Sequence, residues 1–204
     1  VKNSETDADG TLAAGTAAQG GTSALALRAR EALGRLTAVV PDFPSPGILF
    51  RDLTPVFSDA EAFHAVVDAI SEPFAGTFDA VAGVEARGFL LAAAVAYATG
   101  TGVVTIRKAG KLPRAVYSES YDLEYGQAAL EIHQSDLPAG ARVLVLDDVL
   151  ATGGTLAAAC ALLDRAGAAV VGCGVVLELG ALGGRTALAG RTVHALEIVR
   201  PAPR

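Results

Sequence analysis

VLVLDDVLATGGTLAAA, residues 143–159, is the stretch whose reading decides the fold. Four apolar residues run into two adjacent carboxylates, Asp147 and Asp148. A short Thr/Gly turn follows, and then an alanine-rich helix former. That order describes a buried parallel strand, an acidic pair at its carboxyl end and a glycine loop opening a helix. In an open α/β sheet, a phosphorylated ligand binds at such a place. Gly153 and Gly154 let the backbone turn tightly and approach a ligand closely. Their amides, with those of Thr152 and Thr155, suit a nest for a phosphate dianion, and the helix adds its positive dipole end. The two threonines bring hydroxyl donors. Asp147 and Asp148 repel phosphate but suit the hydroxyls of a sugar, so the pattern reads as a ribose-5-phosphate site. Neighbours on a strand face opposite ways, which argues against a two-carboxylate glycosidase pair. One Asp is expected to reach the crevice directly and the other to brace the loop. The plainer reading, an ordinary strand–helix connection, fits poorly with a loop that is neither short nor neutral.

Two commoner glycine motifs fail. No Lys-Ser or Lys-Thr closes a GxxxxG, so there is no P-loop. Gly172 and Gly174 begin a dinucleotide fingerprint, but Leu177 stands at the third glycine position. A chain of 204 residues, 51% hydrophobic, with a mean hydropathy of +0.42, is expected to form one domain with a full core. No apolar run is long enough to span a bilayer, so no membrane partner is expected. The net charge of −6 argues against a nucleic-acid surface, while a local basic cluster still serves an anionic substrate. Cys160 and Cys173 sit in apolar segments and read as buried thiols acting as small hydrophobes. His64, His133 and His194 are scattered and read as structural or surface residues. These features fit a reducing cytoplasm.

Residues 1–23 are rich in small and polar types and are expected to be a disordered tail. They lack the basic start and apolar block of a signal peptide. Helical spacing of Leu25, Leu33 and Leu36 predicts a helix over 24–38. Pro41, Pro44, Pro46 and Gly47 predict a rigid extended loop. A helix over 59–75 is capped by Ser58 or Asp59. Strands follow at 80–84, 102–107, 127–133, 142–147, 169–179 and 192–199, with helices after the first and fourth of these. Residues 108–123 are polar and read as a long mobile loop, which in a compact domain is usually functional. Strands alternating with helices imply an α/β fold with a parallel, doubly wound sheet flanked by helices.

Other segments carry chemistry. EARG (85–88) follows a buried strand and presents Arg87 at its carboxyl end. That position favours a bidentate pyrophosphate clamp over a surface arginine. RKAGK (107–111) places Arg107, Lys108 and Lys111 at the base of the long loop. In isolation such a run is a solvated charged turn, but this one follows a core strand and faces the presumed site. LEYG (123–126) offers Glu124 and Tyr125, and the residues alone leave Glu124 equally a surface carboxylate. PGILFRD (46–52) reads by itself as a hydrophobic turn.

Taken together, DDVLATGGT, PDFPSPGILFRDLTPVF (41–57), AGVEARGF (82–89), IRKAGKLP (106–113) and YDLEYGQAALEIH (121–133) resemble the type I phosphoribosyltransferases, and within them the adenine-specific branch. The resemblance covers roughly residues 35–200 and keeps the family's motif order. It implies a type I phosphoribosyltransferase fold in one domain over 24–204, with a small N-terminal hood at about 24–57 and a flexible flap at about 108–123. It implies transfer of a 5-phosphoribosyl group from phosphoribosyl pyrophosphate (PRPP) to adenine, giving AMP and pyrophosphate. Mg²⁺ is held through PRPP oxygens rather than by the protein directly.

The resemblance assigns PRPP and AMP contacts to Asp147, Asp148, Ala151, Thr152, Gly153, Gly154, Thr155, Arg107 and Tyr125. It assigns pyrophosphate contacts to Arg107 and Lys111, with one of these an option for a partner subunit. Glu124 matches the family's general acid/base, with Arg87 and Lys111 stabilising the leaving group. Leu49 and Arg51 offer backbone groups to the base, and Phe50 stacks on it. A strained or cis peptide is expected at Glu85–Ala86, and flaps that cross subunits imply a homodimer. Alternatives are a transferase for xanthine, hypoxanthine or orotate, and a PRPP-sensing regulator without catalysis. The PGILFRD hood argues against the first, and the acidic charge and short N-terminal segment against the second.

Overall fold

A computed structural model describes residues 23–122 and 127–200. The chain opens with α1 (Ala24–Leu36), β1 (Ala38–Pro41), β2 (Leu49–Asp52), α2 (Thr54–Ser58) and α3 (Ala60–Ser71). It continues with β3 (Ala80–Val84), α4 (Arg87–Thr99), β4 (Gly102–Lys108), β5 (Val116–Asp122) and β6 (Gln127–His133). It closes with β7 (Arg142–Leu150), α5 (Gly154–Arg165), β8 (Ala169–Leu179), α6 (Gly184–Ala187) and β9 (Val193–Val199).

Local chemistry sets the helix starts. Ser23, counted above with the tail, caps α1 by accepting the Ala26 amide at 3.1 Å. Asp59 caps α3 by accepting the Ala62 amide at 2.9 Å. Each side chain satisfies one of the unpaired amides of a first turn.

Among the described residues the main sheet runs β5-β6-β4-β3-β7-β8-β9. The five strands β4, β3, β7, β8 and β9 are parallel, as alternating elements predict. The sheet as a whole is mixed, because β6 runs antiparallel to β4 and β5 antiparallel to β6. Here the structure departs from the expected loop over 108–123, since residues 116–122 form an edge strand. Tyr117 and Tyr121 pack against the core, and Glu119 pairs with Arg165 of α5 at 2.8 Å. The spacing of these three residues is the period of a strand, hidden by the two serines between them. The proline-rich segment also differs from expectation. It is the turn of a hairpin in which Val39 faces Arg51 and Pro41 faces Leu49. Asp42 closes the turn by accepting the Gly47 amide at 2.7 Å.

The strands of the sheet feed two cores. Leu144 and Leu146 of β7 join α1, α3 and α4 on one face, while Val143 and Val145 join α5 on the other. This is the pattern of a strand buried on both sides. Cys160 and Cys173 are buried and face each other at 3.5 Å between sulfurs. His64 is exposed, and His133 is buried against Asp136 at 3.0 Å.

The site end of the sheet depends on backbone packed against backbone. A Cβ on Gly88 would lie 2.6 Å from the Leu146 carbonyl oxygen, and one on Gly83 2.5 Å from the Gly88 carbonyl oxygen. The start of α4 therefore sits directly on β3 and β7. Gly153 has φ +87°, and a Cβ there would meet the Gly184 carbonyl oxygen at 2.4 Å. A Cβ on Gly184 would meet the Ala151 carbonyl oxygen at the same distance. Gly184→Ala overpacks this contact with backbone that has little room to move. It is expected to cost about 1–3 kcal/mol and to lower the melting temperature by roughly 2–10 °C in calorimetry. An unchanged melting temperature would show that the loop and α6 are not locked together.

Candidate active site

The carboxyl ends of β3, β4, β7 and β8 gather the residues singled out by the sequence. β7 ends at Leu150, and Ala151, Thr152 and Gly153 turn the chain into α5. No side chain caps α5, so its first amides are open to an anion. Asp147, Val149, Leu150, Ala151, Thr152, Gly153, Thr155 and Leu156 line a concavity of about 70 Å³. That is room for one phosphate-sized group. Gly154, expected with this set, is the first residue of α5.

The two carboxylates divide. Asp147 lines the concavity, and its Oδ1 accepts the Asp148 amide at 2.9 Å. Burial, with Asp148 beside it, pushes the Asp147 carboxyl well above the usual carboxylate range. Asp148 is buried, and its Oδ2 lies 2.9 Å from Arg87 Nε. Asp147 thus faces the concavity, while Asp148 pairs with Arg87 rather than with the loop.

Arg87 is the first residue of α4. Its guanidinium carbon lies 5.8 Å from the centre of the Phe50 ring, within cation–π range. Arg87 therefore links a carboxylate of β7 to an aromatic ring of the hairpin. Ile48, Leu49, Phe50 and Arg51 close over Arg87, Val149, Leu177 and Leu179 around an apolar cavity of about 230 Å³. Phe43 packs edge-on against Phe50 at 5.1 Å. The three expected base-pocket residues thus stand together. Sequence reasoning missed the opposite wall, Val149, Leu177 and Leu179. Their signal was position, because they end the central strands β7 and β8, where ligands of open α/β sheets bind.

The basic cluster converges on a residue that sequence reasoning passed over. Lys111 Nζ lies 2.7 Å from Glu85 Oε1, and Arg107 Nε 3.6 Å from Glu85 Oε2. The Lys108 amide donates to Oε2 at 3.0 Å. The Lys111 ammonium, then the Lys108 amide, hold the Glu85 carboxyl below its ordinary pKa. The Glu85–Ala86 peptide is cis, as the resemblance led us to expect. Glu124 and Tyr125 lie outside the described residues.

Residues 60–186, more than half of the chain, match the phosphoribosyl transferase domain family. The chain is 72% identical over 166 residues to the adenine phosphoribosyltransferase of Renibacterium salmoninarum, covering 81% of this chain and 91% of the relative. The crystal structure of adenine phosphoribosyltransferase from Rhodothermus marinus superposes with a TM-score of 0.79 at 44% identity, covering 84% of this chain and 98% of that one. The Saccharomyces cerevisiae enzyme, solved with an imino-altritol bisphosphate and adenine, superposes with a TM-score of 0.79 at 39% identity, covering 84% and 99%. On the extent and level of these matches, the chain belongs to the adenine phosphoribosyltransferase family of the type I phosphoribosyltransferases.

Proposed function

We propose that this chain transfers the 5-phosphoribosyl group of PRPP to adenine, forming AMP and releasing pyrophosphate in purine salvage. The observation that carries the reading is that the apolar cavity and the phosphate loop share β7. Val149 lines both, with Asp147 on one side and Arg87 on the other. A ribose placed between them has its 5-phosphate at the α5 amides and its anomeric carbon toward the base. The yeast relative, solved with adenine, supports the choice of base.

The base pocket suits adenine because its polar partners are backbone. Among the described residues β2 pairs only with β1, which leaves part of its backbone facing away from the hairpin. An N–H beside a carbonyl, from Leu49 and Arg51, matches the ring acceptor and exocyclic amine of adenine, with Phe50 against the ring.

In the reaction the bond from the anomeric carbon to pyrophosphate breaks and a bond to a ring nitrogen of adenine forms. The transition state resembles an oxocarbenium ion. Asp147 and Asp148 hold the ribose hydroxyls, and Thr152, Gly153, Gly154 and Thr155 hold the 5-phosphate. Arg87, Arg107 and Lys111 take up charge on the departing pyrophosphate. Glu124 takes the proton that the adenine nitrogen loses, and Tyr125 closes over the ribose. Holding the two reactants together supplies much of the acceleration, and excluding water prevents hydrolysis of PRPP.

Among the described residues no group of three or more His, Cys, Asp or Glu side chains is gathered for a metal ion. That fits Mg²⁺ that would be held through PRPP oxygens and water rather than by protein ligands. When bound, it supplies further positive charge for the leaving group. We also propose a cytoplasmic homodimer. Among the described residues no helix is long and apolar enough to cross a membrane. The exposed Leu90 and Tyr97 of α4 and Val103 of β4 supply apolar surface suited to a partner.

A purine panel with PRPP and Mg²⁺, read by chromatography of the nucleotide product, is expected to give AMP from adenine. Hypoxanthine, xanthine, guanine and orotate are expected to give at most traces. Product from one of those bases instead would reassign the substrate. Tight PRPP binding with no product from any base would leave a sensor. Chelation of divalent cations is expected to stop turnover, and added Mg²⁺ to restore it. Arg87→Ala is expected to lower turnover about a hundredfold or more while the protein stays folded by circular dichroism. Wild-type turnover in that variant would remove Arg87 from the site.

A further inference from the structure

Glu85 takes no part in the mechanism above, yet it is the most heavily engaged carboxylate of the site. Its amide donates to the Ile106 carbonyl at 2.9 Å, extending the β3–β4 pairing in which Val84 faces Ile106. The backbone of Glu85 is thus fixed to the strand that carries Arg107. Its side chain is only 11% exposed. One oxygen accepts Lys111 Nζ at 2.7 Å, and the other accepts the Lys108 amide at 3.0 Å and lies 3.6 Å from Arg107 Nε. Arg107 Nη1 donates in turn to the Lys111 carbonyl at 3.2 Å. Glu85 therefore gathers both cations, while Glu131 Oε2 accepts the Gly110 amide at 2.9 Å and fixes the turn between them.

Without that centre the two cations repel each other. Lys111, on a turn with a flexible four-carbon stem, would scatter over many rotamers. The gathering does not exhaust them. Lys111 spends one of its three donors on Glu85. The Lys111 side chain is still 48% exposed and that of Arg107 34% exposed, so donors remain for an incoming anion.

We infer that Glu85 is a positioning residue, whose carboxylate aims Arg107 and Lys111 as a pair at the pyrophosphate end of PRPP. The inference rests on the proposed pyrophosphate role of those two cations. It contrasts with a purely electrostatic account, in which a carboxylate beside an anion site only weakens binding. The two accounts predict opposite signs. Glu85→Gln keeps an acceptor for the Lys108 amide but removes the charge that holds Lys111. Positioning predicts that the KM for PRPP rises about tenfold while the KM for adenine stays within twofold. Electrostatics alone predicts a lower KM for PRPP.

Glu85→Asp keeps the charge and withdraws the carboxylate by one methylene. Positioning again predicts a raised KM for PRPP, and electrostatics no change. This second variant decides the matter if the first fails to fold. In a Lys111→Ala background, Glu85→Gln is expected to raise the KM by clearly less than in the wild-type chain, because the part of its effect that passes through Lys111 is already lost. An unchanged or lowered KM for PRPP in either variant, or full additivity with Lys111→Ala, overturns the inference. If the wild-type chain makes no AMP, the proposed function fails instead. Calorimetric titration with pyrophosphate then tests Glu85 separately: weaker binding in Glu85→Gln supports positioning, and equal or tighter binding overturns it.

Discussion

The site depends on one steric constraint, the absence of side chains where helices meet the carboxyl ends of β3 and β7. Gly83, Gly88, Gly153 and Gly184 each stand where a Cβ would come within 2.6 Å of a backbone oxygen. Such contacts leave no room for adjustment. They bring the first turn of α4 onto β7, so that Arg87 reaches Asp148. They also back the phosphate loop with the short α6, which fixes Gly153 in its left-handed conformation. The parallel sheet supplies a row of strand ends, and the glycines bring the functional groups down onto it.

Charge is organised on that frame in matched sets. The chain is acidic as a whole, yet three cations of the site are held by carboxylates on a sheet strand or just past its end. Arg87 rests on Asp148, and Lys111 and Arg107 on Glu85. Pairs of this kind add little to stability when half exposed. Their value lies in geometry, since long cationic side chains left to solvent lose most of their directional worth to rotamer freedom. Asp147 differs, because burial and its neighbour disfavour its charged form.

The parts of this arrangement legible in the sequence are those where hydrophobic pattern and special residues agree. AVAGV, QAALEIH and AVVGCGVVLEL are strands at the residues where their apolar runs begin and end. The loop after β7 stands where DDVLATGGT placed it. The edge strand β5 was hidden because its apolar and aromatic residues, Val116, Tyr117 and Tyr121, stand among serines and carboxylates. The hairpin of β1 and β2 was hidden by its prolines, which occupy the turn and the strand end rather than the interior. Glu85 and the wall of Val149, Leu177 and Leu179 were illegible for a different reason. Each acts through neighbours distant in sequence, and only the register of β3, β4, β7 and β8 brings them together.

Base choice is the extreme case of that limit. A pocket that reads a base through backbone N–H and carbonyl groups leaves no polar side chain for a sequence pattern to display. What it needs instead is an exposed strand edge held at a fixed distance from an apolar wall. The β1–β2 hairpin supplies the edge, Phe43 and Phe50 stiffen it by ring contact, and Arg87 ties the Phe50 ring back to Asp148. The same arginine thus belongs to the wall of the cavity proposed for the base and to the cations proposed for pyrophosphate. Whatever draws its guanidinium toward a bound donor also moves the wall of the cavity proposed for the base. Donor and acceptor sites built on one side chain are thermodynamically linked, and such linkage acts equally in both directions.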